Sequence, residues 1–143
     1  MIKNVARYAQ AQISPNCSFW GGIITQEVVK LTGKYTPLRQ WLHHEFFEVL
    51  PAEGTKKTPN RENRYNDYTV LFGDEFVQKC QTSSSFVIGA GALGCEFIKM
   101  FALMGASTAG NGKVYVTDDD NIEISNLNRQ FLFRKQHVGQ NKS

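Results

Sequence analysis

The stretch TDDDNIEISNLNRQFLFR, Thr117 to Arg134, gathers an unusual set of polar groups behind one acidic residue. Asp118 closes an apolar run, where a carboxylate can accept hydrogen bonds from ribose hydroxyls. Asn126, Arg129 and Gln130 follow within a few positions, and Lys142 comes 13 residues after Arg129. Hydride transfer leaves a pyrophosphate intact and needs little neutralisation beyond a helix end. Breaking a triphosphate differs, because charge builds on the attacked phosphorus and the leaving oxygens. Fixed donors aimed at those oxygens supply several kcal/mol of transition-state stabilisation. In a helical turn, Asn126 and Arg129 lie i, i+3 and would face one ligand, with Lys142 returning as a point charge. Arg129 also has a purely structural reading, as an ion pair to Asp118 or Asp120, and pattern alone leaves the two even.

The element before this segment supplies a place for the phosphates. Gly89, Gly91 and Gly94 form G-x-G-x-x-G between a predicted strand and a predicted helix. In that context the first glycine permits the tight turn and the second lets backbone N–H groups approach an anion. The third lets the helix pack against the strand, with its positive end toward the phosphate. Alone the pattern is weak, and a nucleotide-free α/β core is the plain alternative. Asp118 lies 24 positions beyond Gly94, near the interval of about 20 for a ribose-binding acid. Its plain alternative is a strand-end Asp that caps the next turn. Strand alternation would put Asp120 on the same side as Asp118, near a metal-bound phosphate, and turn Asp119 away to solvent.

SSSFVIG reads as a buried parallel strand through Phe86, Val87 and Ile88. ALGCEFIKMFALMG reads as a helix with Leu93, Phe97, Met100, Phe101 and Met104 on one face, and with Glu96 and Lys99 able to pair. GKVYVTD is the second strand, so the fold class is α/β, the opening of a doubly wound sheet. YNDYTVLFGDEFVQKCQ predicts a short helix, a turn at Gly73 and a second helical turn. Apolar residues nearly vanish in PAEGTKKTPNRENR, which reads as a connector. Before it, SFWGGIITQEVVKLTG carries Trp20, Ile23, Ile24, Val28 and Leu31 at helical spacing, with Ser18 as N-cap and Gly33 as stop. Gly21 and Gly22 each cost roughly 1 kcal/mol against Ala, so close packing on a neighbour is expected there. YTPLRQWLHHEFFEVL reads as extended.

Composition narrows the class. Of 143 residues 41% are apolar, and 16 basic against 13 acidic residues give a net charge of +3. That charge is too mild and too scattered to argue for nucleic acid. No segment is long enough for a membrane helix, and no signal peptide is evident. Cys17, Cys80 and Cys95 are odd in number and lack metal-ligand spacing, so reduced thiols of the cytoplasm or nucleus are expected. Cys95 reads as a small buried apolar residue rather than a nucleophile. His43 and His44, adjacent on a predicted strand, would point to opposite faces and cannot both grip one metal, so no zinc site is expected.

The segments GAGALGCE and VYVTDDDNIEISNLNRQFLFRKQHVGQNKS closely resemble the active adenylation half of ubiquitin-activating enzymes. Residues 1–50 resemble the end of the inactive adenylation half, 51–63 form a linker, and 64–143 begin the active half. The resemblance covers nearly the whole chain, and SNLNRQFLFR is its most specific part. It implies a Rossmann-like sheet of the ThiF/MoeB adenylation type, present in part. It also implies ATP and Mg2+ as cofactors, with the C-terminal tail of ubiquitin as partner. Adenylation of that carboxylate would precede thioester formation on an enzyme cysteine and transfer to conjugating enzymes. Carried over by position, Gly89, Gly91 and Gly94 underlie the nucleotide, Asp118 binds ribose and Asp120 lies near metal and phosphates. Asn126, Arg129, Gln130 and Lys142 surround the triphosphate, with Arg129 and Lys142 catalytic. The family's metal aspartate and catalytic cysteine would lie beyond Ser143. Asp67 departs from the arginine that the inactive half carries at its matching position. The rival readings are a SUMO-type activating subunit, an NAD-dependent dehydrogenase, a molybdopterin or thiamine adenylyltransferase, and a non-catalytic scaffold.

Overall fold

The computed structural model of the chain describes residues 2–55 and 62–143. Residues 56–61, the middle of the expected connector, lie outside the described residues. The chain divides into two compact units, Met1–Val77 and Gln78–Ser143.

In the first unit, α1 (Ile2–Tyr8), α2 (Ser14–Lys30) and α3 (Asn66–Phe72) are the helices, with a 3-10 turn at Phe47–Val49. α4 (Asp74–Thr82) begins here and runs across the division. The core is Tyr8, Val70 and Leu71, with Ala11, Ile13, Leu50 and Phe72 against it. α3 also fastens the backbone entering α2. The Asp67 Oδ2 accepts the Gln12 N–H at 2.8 Å, and the Tyr68 hydroxyl accepts the Ser14 N–H at 3.1 Å. The acid at position 67 therefore has a local role, holding the backbone just ahead of α2.

α2 starts four residues earlier than Ser18, the N-cap expected from sequence. Pro15 sits in its first turn, where the fixed φ and missing N–H suit a helix start. The helix ends at Lys30, and Gly33 follows with its N–H on the Lys30 carbonyl at 3.0 Å. No residue of α2 is buried. A Cβ at Gly21 or Gly22 would meet nothing within 4 Å, so the close neighbour expected at these glycines is not found among the described residues. The extended segment expected after α2 forms no strand; Pro37 lacks a donor and no described strand lies beside it. Side chains hold it instead. Glu27 Oε2 accepts the Leu38 N–H at 2.9 Å, and the His44 ring stacks on Phe19 with centroids 4.6 Å apart. Phe46 meets the same His44 edge-on at 4.4 Å. The strand alternation that placed His43 and His44 on opposite faces therefore does not apply, and His44 is a packing ring.

The second unit is a strand–helix–strand unit. β1 (Ser84–Ile88) and β2 (Lys113–Thr117) pair in parallel, from Ser84 opposite Lys113 to Ile88 opposite Thr117, and α5 (Ala92–Met104) connects them. The Ser107 N–H bonds the Cys80 carbonyl at 2.9 Å and the Ala109 N–H bonds Gln81 at 3.0 Å, tying the α5–β2 connection to the end of α4. Glu96 and Lys99 form the expected ion pair on α5.

Burial departs from expectation. Only Val87 of the Phe86–Ile88 run is buried, while Phe86 is 63% and Ile88 80% exposed. Leu93 and Phe97 on α5 are likewise exposed, and Met100, Phe101 and Met104 are half-buried. Unbroken apolar runs need a layer on each face, and two strands with one helix cover little of either. The turn itself is tight. Gly89 has φ +98, and a Cβ at Gly94 would lie 2.0 Å from the Gly89 carbonyl oxygen.

Gly94→Ala must therefore shift helix or strand and should cost about 1–3 kcal/mol. Gly22→Ala, with open space and a helical backbone, should stabilise by about 0.5–1 kcal/mol. Denaturant midpoints of the two variants should move in opposite directions. A neutral Gly94→Ala would contradict the close approach.

Candidate functional site

Two consecutive residues of β2 and its end hold two consecutive residues of the glycine loop. The Gly89 N–H bonds the Thr117 carbonyl at 2.7 Å, and the Ala90 N–H bonds Asp118 Oδ2 at 2.6 Å. The other Asp118 oxygen accepts the Asp120 N–H at 2.9 Å. Asp118 thus makes the turn cap that its type predicts, and it also reaches the loop. These bonds, led by the Asp120 N–H and helped by Ala90 and the charge of Lys142, hold its carboxyl below the usual range.

Past Thr117 the chain turns, so strand alternation ends with β2. Asp118, Asp119 and Asp120 each place a carboxylate oxygen within 4.8 Å of the others. Asp119 is exposed but does not turn away from its neighbours, because the turn capped by Asp118 replaces the pleat. α5 begins with Gly91 as N-cap, with no side-chain cap and no acid in its first turn. A Cβ at Gly91 would meet nothing within 4 Å, so its backbone faces open space. An uncapped 13-residue helix end beside an open turn is chemically suited to an anion.

The last residues return along the strand end. The Ile122 N–H bonds Gln140, the Gly139 N–H bonds Ile122, and the Lys142 N–H bonds Asp120, all at 2.8–3.0 Å. The Ser143 hydroxyl donates to the Asp118 carbonyl at 3.1 Å. This return brings the Lys142 ammonium to 2.8 Å from Asp120 Oδ2. The Lys142 side chain is only 7% exposed, and its pKa is raised, first by the hydrogen bond to Asp120 and also by the charges of Asp118 and Glu123.

Asn126 and Arg129 share a turn but diverge in contacts. Asn126 is buried, and its Oδ1 caps the 3-10 turn Ile124–Asn126 by accepting the Glu123 N–H at 3.0 Å. Arg129 is exposed, and its Nη1 donates to the Ser125 carbonyl at 3.1 Å and Asn128 Oδ1 at 3.2 Å. Its structural alternative, an ion pair to the strand-end acids, is realised by Lys142 instead. Gln130 is 3% exposed, and its Oε1 has no hydrogen-bond partner. An orphaned buried acceptor of this kind costs about 1–3 kcal/mol. Cys95 is fully buried, and burial pushes its thiol pKa up. That fits the packing role read from sequence.

Sequence reasoning missed three participants. The Ala90 amide and the 139–142 return act through backbone, which leaves no side-chain signal. Glu123 had one, since an acid three residues before Asn126 is a capping-box spacing.

A glycine turn between parallel strand and helix, with the next strand's terminal acid bonded into it, defines a Rossmann-like α/β unit. The chain belongs to the ThiF family, whose model matches residues 63–143. It is 43% identical over 149 residues to "Ubiquitin-activating enzyme E1 1" of Candida albicans (strain WO-1), covering 99% of this chain and 14% of that protein. Identity is 44% over 146 residues to "Ubiquitin-activating enzyme E1 1" of Arabidopsis thaliana, covering all of this chain and 14% of that protein. It is 42% over 148 residues to "Ubiquitin-like modifier-activating enzyme 1" of Oryctolagus cuniculus, with the same coverage. The chain thus spans about 14% of the length of these relatives. Among solved structures it is similar to E. coli MccB with ATP, at TM-score 0.46 and 31% identity, covering 65% of this chain and 27% of that one.

The lowered Asp118 pKa makes a signed prediction. A depressed carboxylate stabilises the fold above its ordinary value, 3.8 here. That contribution is lost as pH falls through the folded pKa. Thermal midpoints should drop below about pH 4, and Asp118→Asn should flatten that limb. An equal acid limb in the variant would contradict the assignment.

Proposed function

We propose that this chain carries part of the ATP site of an enzyme that activates ubiquitin by adenylating its C-terminal carboxylate. The observation that carries the reading is the uncapped, open N-terminus of α5 with the Asp118 carboxylate fastened beside it. Support for the substrate comes from 43–44% identity, over essentially the whole chain, to proteins named as ubiquitin-activating enzymes.

In this reading Gly89, Gly91 and Gly94 underlie the phosphates, and α5 offers them its free N–H groups. Asp118 accepts the ribose hydroxyls. A ubiquitin carboxylate oxygen attacks the α-phosphorus of ATP; that P–O bond forms as the bond to the bridging oxygen of pyrophosphate breaks. Arg129, whose guanidinium hydrogen-bonds only neutral oxygens in the contacts above, swings to the reacting phosphates and offsets their charge. Asn126 keeps its cap through Oδ1 and offers its amide NH2, and Gln130 completes the same wall once its amide finds a partner. Lys142 leaves Asp120 for a phosphate oxygen. Magnesium, when bound, neutralises the polyphosphate, and the hard carboxylate oxygens at Asp118–Asp120 are of the donor type it takes; Asp120 is the acid nearest that role. A cysteine thiol then attacks the acyl carbonyl and loses its proton, the bond to the phosphate oxygen breaks to release AMP, and the resulting thioester passes its acyl group on to conjugating enzymes.

Arg129→Ala in the intact enzyme should lower ubiquitin-dependent ATP–pyrophosphate exchange by about 100-fold or more, the usual loss for one transition-state donor. Lysine should restore only part, since it lacks the planar fork. Normal exchange by the folded alanine variant would remove Arg129 from the reaction.

A further inference from the structure

We propose that Asp118 is a positioning residue for the phosphate-binding loop, so that one carboxylate sets the loop's shape and also reads the ribose. The ribose half of this statement rests on the function proposed above; the loop half does not. An ionised carboxylate has about four lone-pair sites. Two are filled without any ligand, one on each oxygen: Oδ2 by the Ala90 N–H at 2.6 Å and Oδ1 by the Asp120 N–H at 2.9 Å. One site therefore remains on each oxygen, which suits the paired hydroxyls of a vicinal diol.

Ala90 is the residue where the loop is gripped. It is 2% exposed, so loss of Asp118 leaves its N–H with no protein acceptor in place. Its carbonyl receives a weaker contact from the Cys95 thiol at 3.5 Å. Its neighbours are held through backbone alone, Gly89 by its N–H on Thr117 and Gly91 by the Cys95 N–H on its carbonyl at 2.9 Å. A Cβ at Gly89 or Gly91 would meet no atom within 4 Å, and no side chain caps α5. The close packing of Gly94 on Gly89 fixes where α5 starts, and the Thr117–Gly89 bond and Asp118 set how the loop ahead of its first N–H groups is aimed. A ligand that draws on the free lone pairs of Asp118 acts on the same group that holds the loop, so diol recognition and phosphate recognition are coupled through it.

A residue that only bound ribose would leave ribose-free ligands untouched, and that separates the two roles. Hydrogen–deuterium exchange of the intact protein, read on peptides covering residues 86–95, should quicken by roughly 10-fold in Asp118→Ala without ligand. Asp118→Asn should recover part of the protection, because one amide oxygen can accept from Ala90 or Asp120 but its NH2 can accept from neither. Binding of tripolyphosphate without magnesium should weaken roughly 10-fold in Asp118→Ala, alongside that of AMP. Unchanged loop exchange in both variants would overturn the proposal. So would a loss confined to AMP, which would leave Asp118 a ribose ligand alone. If the wild-type protein binds neither AMP nor tripolyphosphate, the ATP reading fails, and loop exchange still decides the clamp.

Discussion

The close approach of α5 to the end of β1 constrains everything around the site. With 2.0 Å between the Gly89 oxygen and any Cβ at position 94, only glycine lets the helix start where it does. That start places Ala90 under the end of β2, within reach of Asp118. It also seats Cys95 at full burial, one residue further along the helix. Relaxing the contact would lengthen the Ala90–Asp118 bond and turn the helix end away from the acids.

A second layer of order comes from the chain's return. Residues 139–143 bond back to 118–122 through backbone groups, and that pairing delivers Lys142 into a nearly closed position against Asp120. A lysine so enclosed is held by its carboxylate neighbours, since an unpaired buried ammonium would be costly. The site at rest is therefore partly self-neutralised, with Lys142 serving the acids that a polyphosphate would otherwise repel.

Much of this was legible in the chain itself. The G-x-G-x-x-G turn, α5, both strands and the strand-end Asp118 follow from periodicity and spacing, because each obeys a local rule. Gly73 separates α3 from α4 as its type suggests. The misses have a common cause in partners that a local pattern cannot name. The Phe86–Ile88 run reads as buried, yet burial depends on covering layers that two strands and one helix do not provide. The segment after α2 has strand composition but no neighbouring strand, so Glu27 and the Phe19–His44–Phe46 cluster hold it instead. Pro15 outcompetes Ser18 for the helix start because its geometry is already helical. At the site, the contest for Asp120 between Arg129 and Lys142 could not be settled by spacing, since the winning contact is made by a backbone return.

The central claim is that the α5 N-terminus and Asp118 form one nucleotide site. A crystal structure of the intact protein with a non-hydrolysable ATP analogue tests it most directly. The account predicts the ribose hydroxyls within about 3.2 Å of the Asp118 oxygens and phosphate oxygens facing the N–H groups of Gly91 to Leu93. A nucleotide bound elsewhere, or ribose held by another residue with Asp118 still capping its turn, would contradict it.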